Sequence, residues 1–176
     1  MIDNDIALRN VHDMLQILNN LRITSWVQDG TLLGLMRDGC VIRWDHDTDI
    51  GAYASHWLPK AHLELEEAGF QLDGVLGTTM NGWQHRWIRE GVKTDIFFYY
   101  RNEDDTIWHA AYLADKTQYR FTYPTFNLAT IETSAGPMLA PDPPERFLET
   151  KYGPDWRTPQ RRWHFATSPL NHTRMS

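Results

Sequence analysis

The segment Arg43–Gly51, RWDHDTDIG, sets aspartates at positions 45, 47 and 49. On an extended backbone side chains alternate between faces, so Asp45, Asp47 and Asp49 would share one side, with His46 and Thr48 opposite. Carboxylates crowded in this way repel, and each raises the cost of ionising the next. A divalent cation between them would resolve the conflict. Mg²⁺ prefers oxygen ligands and is usually held by one or two carboxylates plus substrate phosphates, a need that two aspartates at i and i+2 meet. Zinc fits less well, because Cys40 is the single cysteine and His46 the single nearby histidine. An EF-hand would also need a glycine at the sixth loop position and a glutamate at the end, and both are missing. The plain alternative is a solvated acidic turn.

The upstream residues favour the metal. ITSWVQ (23–28) alternates and is rich in β-formers, Asp29-Gly30 signals a turn, and TLLGLMRDG (31–39) reads as a short helix closed by Gly39. A strand, a glycine turn and a helix N-terminus present free amides and a positive dipole end to a phosphate oxygen. Gly30 and Thr31 are therefore candidate phosphate contacts, beside the alternative that they only turn and cap the chain.

DGTLLGLMRDGCVIRWDHDTDIG (29–51) resembles the signature of the LicD/fukutin family: a D-G-T-L-L-G helix, an arginine, then W-D-x-D-x-D-I-G. VKTDIF (92–97) resembles the family's second motif, and KYGPDWRTP (151–159) its closing Y-G-x-x-W-x-x-P. The resemblance implies a nucleotidyltransferase fold of the polymerase-β type. It maps Gly30 and Thr31 onto a phosphate-gripping turn, Asp47 and Asp49 onto a metal-binding pair, and Asp95 onto a third carboxylate from a neighbouring strand. It also implies a Mg²⁺- or Mn²⁺-dependent transfer of a phospho-alcohol (phosphocholine, ribitol phosphate or glycerol phosphate) from a CDP-activated donor to a sugar hydroxyl of a glycan, releasing CMP. Asp95 would complete the metal's shell or take the acceptor's proton. Arg37, where the family usually has arginine, could neutralise a donor phosphate or pair with a nearby aspartate. Tyr152, Gly153, Trp156 and Pro159 read as packing. Arg43 and Cys40 depart from the family's usual Pro and small residue without touching the carboxylates. Two further readings stand beside this one: nucleotidyl transfer from an NTP to a small acceptor, and a non-catalytic sugar- or nucleotide-binding module.

The elements that must position these residues follow from periodicity. Ala7, Val11, Met14, Leu18 and Leu21 mark an amphipathic helix over 5–20, capped by Asp3 or Asn4. A strand is expected at about 48–54. A helix entered at Pro59 then carries Leu58, Ala61, Leu65 and Ala68 and ends at Gly69. FQLDGVL, WQHRWIR (83–89), VKTDIFFYY (92–100), TIWHAAY (106–112) and YRFTYP (119–124) read as strands. PMLAPDPP (137–144) punctuates the last third, before a short helix at 144–153 and an irregular Arg- and Trp-rich tail. Helices around a mixed central sheet give an α+β class, and 176 residues suit a single domain over 1–176.

Composition excludes several classes. A formal net charge of −6 argues against nonspecific binding to nucleic acid or anionic membranes. No apolar run approaches the ~20 residues a membrane span needs, and MIDNDIALRN has no secretory pattern, so a cytoplasmic location is expected. Eight Trp, seven Tyr and seven Phe imply an aromatic core, and WQHRW (83–87) could alternatively stack a base or sugar.

Overall fold

The computed structural model describes residues 2–175. α1 runs Asn4–Asn20, with the Asp3 carboxylate accepting from the amides of Asp5 and Ile6, and it buries Ala7, Leu8, Val11, Met14, Leu15 and Leu18. β1 (Ser25–Val27) leads directly into α2 (Asp29–Asp38), which Gly39 closes at φ 70°. β2 (Asp47–Tyr53) follows, then α3 (Lys60–Glu67). Five strands come next: β3 (Gln71–Thr78), β4 (Asn81–Arg89), β5 (Val92–Arg101), β6 (Thr106–Tyr112) and β7 (Gln118–Pro124). A ribbon of β8 (Asn127–Thr133) and β9 (Gly136–Asp142), α4 (Pro144–Tyr152) and β10 (His172–Arg174) complete the described chain.

Eight strands form one mixed sheet. Its path is β1-β2-β5-β6-β7-β10, and β4 also pairs with β5 and carries β3. β2 and β5 are parallel, and the other pairs are antiparallel. This is the expected α+β architecture, a mixed sheet flanked by helices. β5 is the hub. Its inner half is flanked by β2 and β4, so a residue there meets side chains from both neighbours. The opposite face is sealed by Thr48 and Thr94, whose buried hydroxyls lie 2.9 Å apart, and by Ile50, Ile96 and Phe98.

Two close approaches explain part of the 29–51 pattern. A Cβ on Gly34 would stand 2.5 Å from the Cys40 carbonyl oxygen, so glycine lets residues 40–42 fold back along α2 and deliver the acidic segment. A Cβ on Gly51 would stand 2.5 Å from the Trp26 indole. Gly51 thus clears a fully buried core tryptophan.

Several expectations are corrected. α2 begins at Asp29, two residues before the predicted start, because Gln28 already adopts an extended cap conformation. Leu58 lies outside α3 and is 45 % exposed. The Pro-punctuated segment is a strand, with Pro137 and Pro141 paired opposite Glu132 and Leu128. An even spacing points both missing N–H groups to the same edge, which a two-stranded ribbon tolerates. The tail is tied by β10, which pairs with β7 and carries residues 156–165 across the open side of the sheet.

Candidate active site

The parallel register of β2 and β5 sets Asp47 opposite Lys93 and Asp49 opposite Asp95. Strand alternation then turns Asp47, Asp49 and Asp95 into one cavity of about 610 Å³. Asp45 lies just outside β2, in a turn closed by its amide donating to the Ile42 carbonyl at 3.0 Å. The aspartates therefore do not all ride one strand, but Asp45 still faces the same cavity.

α2 meets this group end-on. The Gly30 amide donates to Asp49 Oδ2 at 2.9 Å, and the Asp49 amide donates to the buried Thr31 hydroxyl at 2.7 Å. A Cβ at position 30 would lie 3.0 Å from both Asp45 Oδ2 and Asp49 Oδ2, so glycine is what allows this approach. Gly30 and Thr31, expected as phosphate contacts, are brought against the aspartates and hydrogen-bonded to Asp49.

The residue before them was missed in the sequence. Asp29 opens α2 at φ 45°, a left-handed conformation that costs a non-glycine residue about 1–3 kcal/mol. Buried partners hold it there. Lys151 of α4 sits 2.6 Å from Asp29 Oδ2, and the Tyr123 hydroxyl donates to Oδ1 at 3.2 Å. The His109 ring, 3.7 Å away, is held by burial near a pKa of about 4 and stays neutral at ordinary pH. The lone signal in sequence was that Asp29-Gly30 is a turn; Lys151 lies 122 positions away and no local pattern could pair them.

On β4, Gln84 and Arg86 face the cavity, and the Gln84 amide donates to Asp95 Oδ2 at 2.9 Å. Trp83, His85 and Trp87 turn the other way. Trp83 stacks on Phe98 with centroids 4.3 Å apart, and His85 and Trp87 are fully buried, so this aromatic run belongs to the core. The cavity's aromatic lining comes instead from Trp44, Tyr152, Trp156 and Trp163. Tyr152 and Trp156 are thus walls of the site as well as packing. Arg37 lines the cavity too, but it grips Asp38 through Nε at 3.0 Å and Nη2 at 2.7 Å. Arg161, in the Arg- and Trp-rich tail, reaches the rim with its guanidinium 5.7 Å from the Trp44 ring.

Burial and the neighbouring Asp45 raise Asp47 to about 7; burial and the neighbouring Asp47 raise Asp95 to about 7. Asp49 is raised well above the ordinary range, chiefly by burial and then by Asp47, with Lys151 opposing. Asp95 Oδ1 is buried without a hydrogen-bond partner. Repelling carboxylates with an unmet acceptor suit a cation. Among the described residues, no three carboxylate, imidazole or thiolate groups come close enough to enclose an ion alone. A cation here would need further ligands, of the kind that substrate phosphates supply to Mg²⁺.

The LicD/FKTN/FKRP nucleotidyltransferase domain matches residues 22–142, which span every one of these aspartates. The chain belongs to the LicD/FKTN/FKRP family. Within it, the chain is similar to the mouse (Mus musculus) protein "Ribitol-5-phosphate transferase FKTN", at 27 % identity over 97 % of this chain and 38 % of that one. The human (Homo sapiens) protein of the same name is 27 % identical over 93 % of this chain and 36 % of that one. The chain therefore spans less than two fifths of these relatives. A Rickettsia prowazekii (strain Madrid E) protein, "Uncharacterized protein RP689", is 26 % identical over 85 % of this chain and 53 % of that one. Among solved structures, the lincosamide antibiotic adenylyltransferase LnuA, lincomycin-bound, aligns at TM-score 0.51 and 16 % identity, over 76 % of this chain and 78 % of that one. This last likeness establishes the nucleotidyltransferase fold.

Proposed function

We propose that this LicD-family chain is a phosphotransferase that moves a phospho-alcohol from a CDP-activated donor to a sugar hydroxyl of a glycan, releasing CMP. Ribitol phosphate is the favoured cargo, because the FKTN relatives carry ribitol-5-phosphate transferase in their names. The observation that carries the reading is the Asp49–Asp95 register across parallel strands, with the Gly30 amide closing on Asp49.

In the transfer, the acceptor oxygen bonds to the phosphorus that bears the alcohol. The bond from that phosphorus to the bridging oxygen breaks, and CMP leaves with that oxygen. The hydroxyl proton passes to a base. Asp47 and Asp49, with Asp95 beside them, would hold Mg²⁺ or Mn²⁺, which when bound supplies charge neutralisation for the donor phosphates. Asp95 projects from β5 with Oδ1 free, placed either to complete that shell or to take the proton. Gly30 and Thr31, at the start of α2, set the helix's positive dipole end beside Asp49, where it would favour a donor phosphate. Tyr152 of α4 and Trp156 and Trp163 of the tail line the same cavity.

The test is CMP release from CDP-ribitol, CDP-choline and CDP-glycerol with Mg²⁺ or Mn²⁺ and a glycan acceptor. Asp47→Asn and Asp49→Asn should each lower it by about a thousandfold. Pyrophosphate from an NTP with no CMP from any CDP-alcohol, or full turnover in either variant, would reject the proposal.

A further inference from the structure

We propose that Arg86, on the inward face of β4, is the guanidinium that binds a substrate phosphate in this cavity. The assignment deepens the phosphotransferase reading by adding a cation that the signature motifs do not contain.

Five acidic residues, Asp29, Asp45, Asp47, Asp49 and Asp95, line the cavity, so a phosphate entering it needs positive partners. Most of the cations on its walls are committed. Arg37 is held by two hydrogen bonds to Asp38, Lys151 is locked 2.6 Å from Asp29, and Arg161 lies over Trp44 at the rim. Arg86 differs. It sits opposite Asp95 in the β4–β5 register, at the metal-binding end of the cavity. Its Nε is buried without a hydrogen-bond partner. Its salt-bridge partner, Asp73, is 3.7 Å from Nη2, beyond hydrogen-bonding distance, and both side chains are more than a third exposed. A planar guanidinium with free donors suits two oxygens of one phosphate.

The neighbouring strand makes room for it. A Cβ on Gly74 of β3 would lie 2.9 Å from Arg86 Nη2 and 3.3 Å from Nε. Position 74 has no left-handed backbone that would demand glycine, so the space serves the guanidinium. Beside it, Gln84 spends its amide N–H on Asp95 Oδ2, leaving Gln84 Oε1 and Asp95 Oδ1 both buried and unpartnered. Two free acceptors next to a free guanidinium match a hydroxyl donor adjoining a phosphate.

The phosphate could belong to the donor diphosphate or to a phosphorylated acceptor. Calorimetric titration of the intact protein in Mg²⁺ with inorganic pyrophosphate, CDP and glucose 6-phosphate distinguishes them. Arg86→Gln should weaken pyrophosphate binding about tenfold, the loss of one charge-assisted pair. Arg86→Lys should restore part of it, and Arg101→Gln, at the end of β5 outside the cavity, should leave it nearly unchanged. Gly74→Ala, outside the cavity's charged groups, should weaken binding by displacing the guanidinium while the melting temperature stays close to that of the parent. A matching loss for CDP assigns the donor, and a loss for glucose 6-phosphate assigns the acceptor. Pyrophosphate affinity unchanged in Arg86→Gln, or absent in the parent protein, overturns the assignment. If no CDP-alcohol yields CMP but pyrophosphate binding still depends on Arg86, the donor reading fails and the Arg86 site stands.

Discussion

Lys151 Nζ lies 2.6 Å from Asp29 Oδ2, and both side chains are at most 6 % exposed. This pair fastens α4 to the first residue of α2, from which Gly30 and Thr31 reach Asp49. Removing one partner of a buried ion pair leaves an uncompensated charge and typically costs about 3–5 kcal/mol. Lys151→Met should therefore lower stability by that order in denaturant unfolding. Replacing both partners with neutral ones, Lys151→Met with Asp29→Asn, should recover much of the loss, since asparagine tolerates the left-handed backbone and keeps an acceptor for Tyr123. A double variant as unstable as the single one would show that the pair is not the anchor.

The raised carboxyls give stability a definite pH dependence. Asp47 and Asp95 stand at about 7 in the fold, against about 3.9 in an unfolded chain. Between these values the folded chain keeps protons that the unfolded chain has released. Their contribution is thus complete below about pH 3.9 and lost as pH rises through 7. Asp47→Asn removes one titrating member. In EDTA, its melting temperature relative to the parent should rise between pH 5 and pH 8, by roughly 5–10 °C. Saturating Mg²⁺ at pH 8 should favour the parent again. A gap that does not move with pH would remove the carboxylate repulsion from the account.

The sequence showed the site's acidic half because its chemistry is local. Asp47 and Asp49 need only strand alternation to share a face, and Gly30-Thr31 needs only the turn before a helix. Asp95 required the family resemblance, since no local rule pairs position 49 with position 95. Gln84 and Arg86 were hidden by their neighbours: Trp83, His85 and Trp87 dominate β4, and the alternation that buries them turns the polar residues into the cavity. Trp156 read as packing because its contacts are tertiary, and Lys151 drew no reading of its own because its partner Asp29 is distant in sequence. The β8–β9 ribbon was obscured by its prolines, which signal breaks unless their missing amides face an edge.

Gly30 lets α2 approach the aspartates closely. A Cβ there would meet Asp45 Oδ2 and Asp49 Oδ2 at 3.0 Å, and both face the cavity. Gly30→Ala should fold normally, because the clash falls on side chains at the cavity wall. It should nevertheless slow CMP release by about tenfold, because Asp45 and Asp49 must each give way by a fraction of an ångström. Circular dichroism alongside turnover separates the two outcomes, and near-parental turnover would show that the Gly30–Asp49 contact does not matter to the chemistry.

Thr31 tests whether the helix positions the strand that carries Asp47 and Asp49. Its hydroxyl accepts the Asp49 amide at 2.7 Å, and the side chain is 3 % exposed. Thr31→Val keeps the shape and removes the acceptor, so the Asp49 amide is left without that partner at a cost of about 1–3 kcal/mol. Thr31→Ser keeps the oxygen and should stay close to the parent in stability. If the hydroxyl fixes Asp49, Thr31→Val should also weaken Mg²⁺ or Mn²⁺ binding, measured by calorimetry on folded protein well below its melting temperature. Equal metal affinity in the Val and Ser variants would limit Thr31 to a stabilising role.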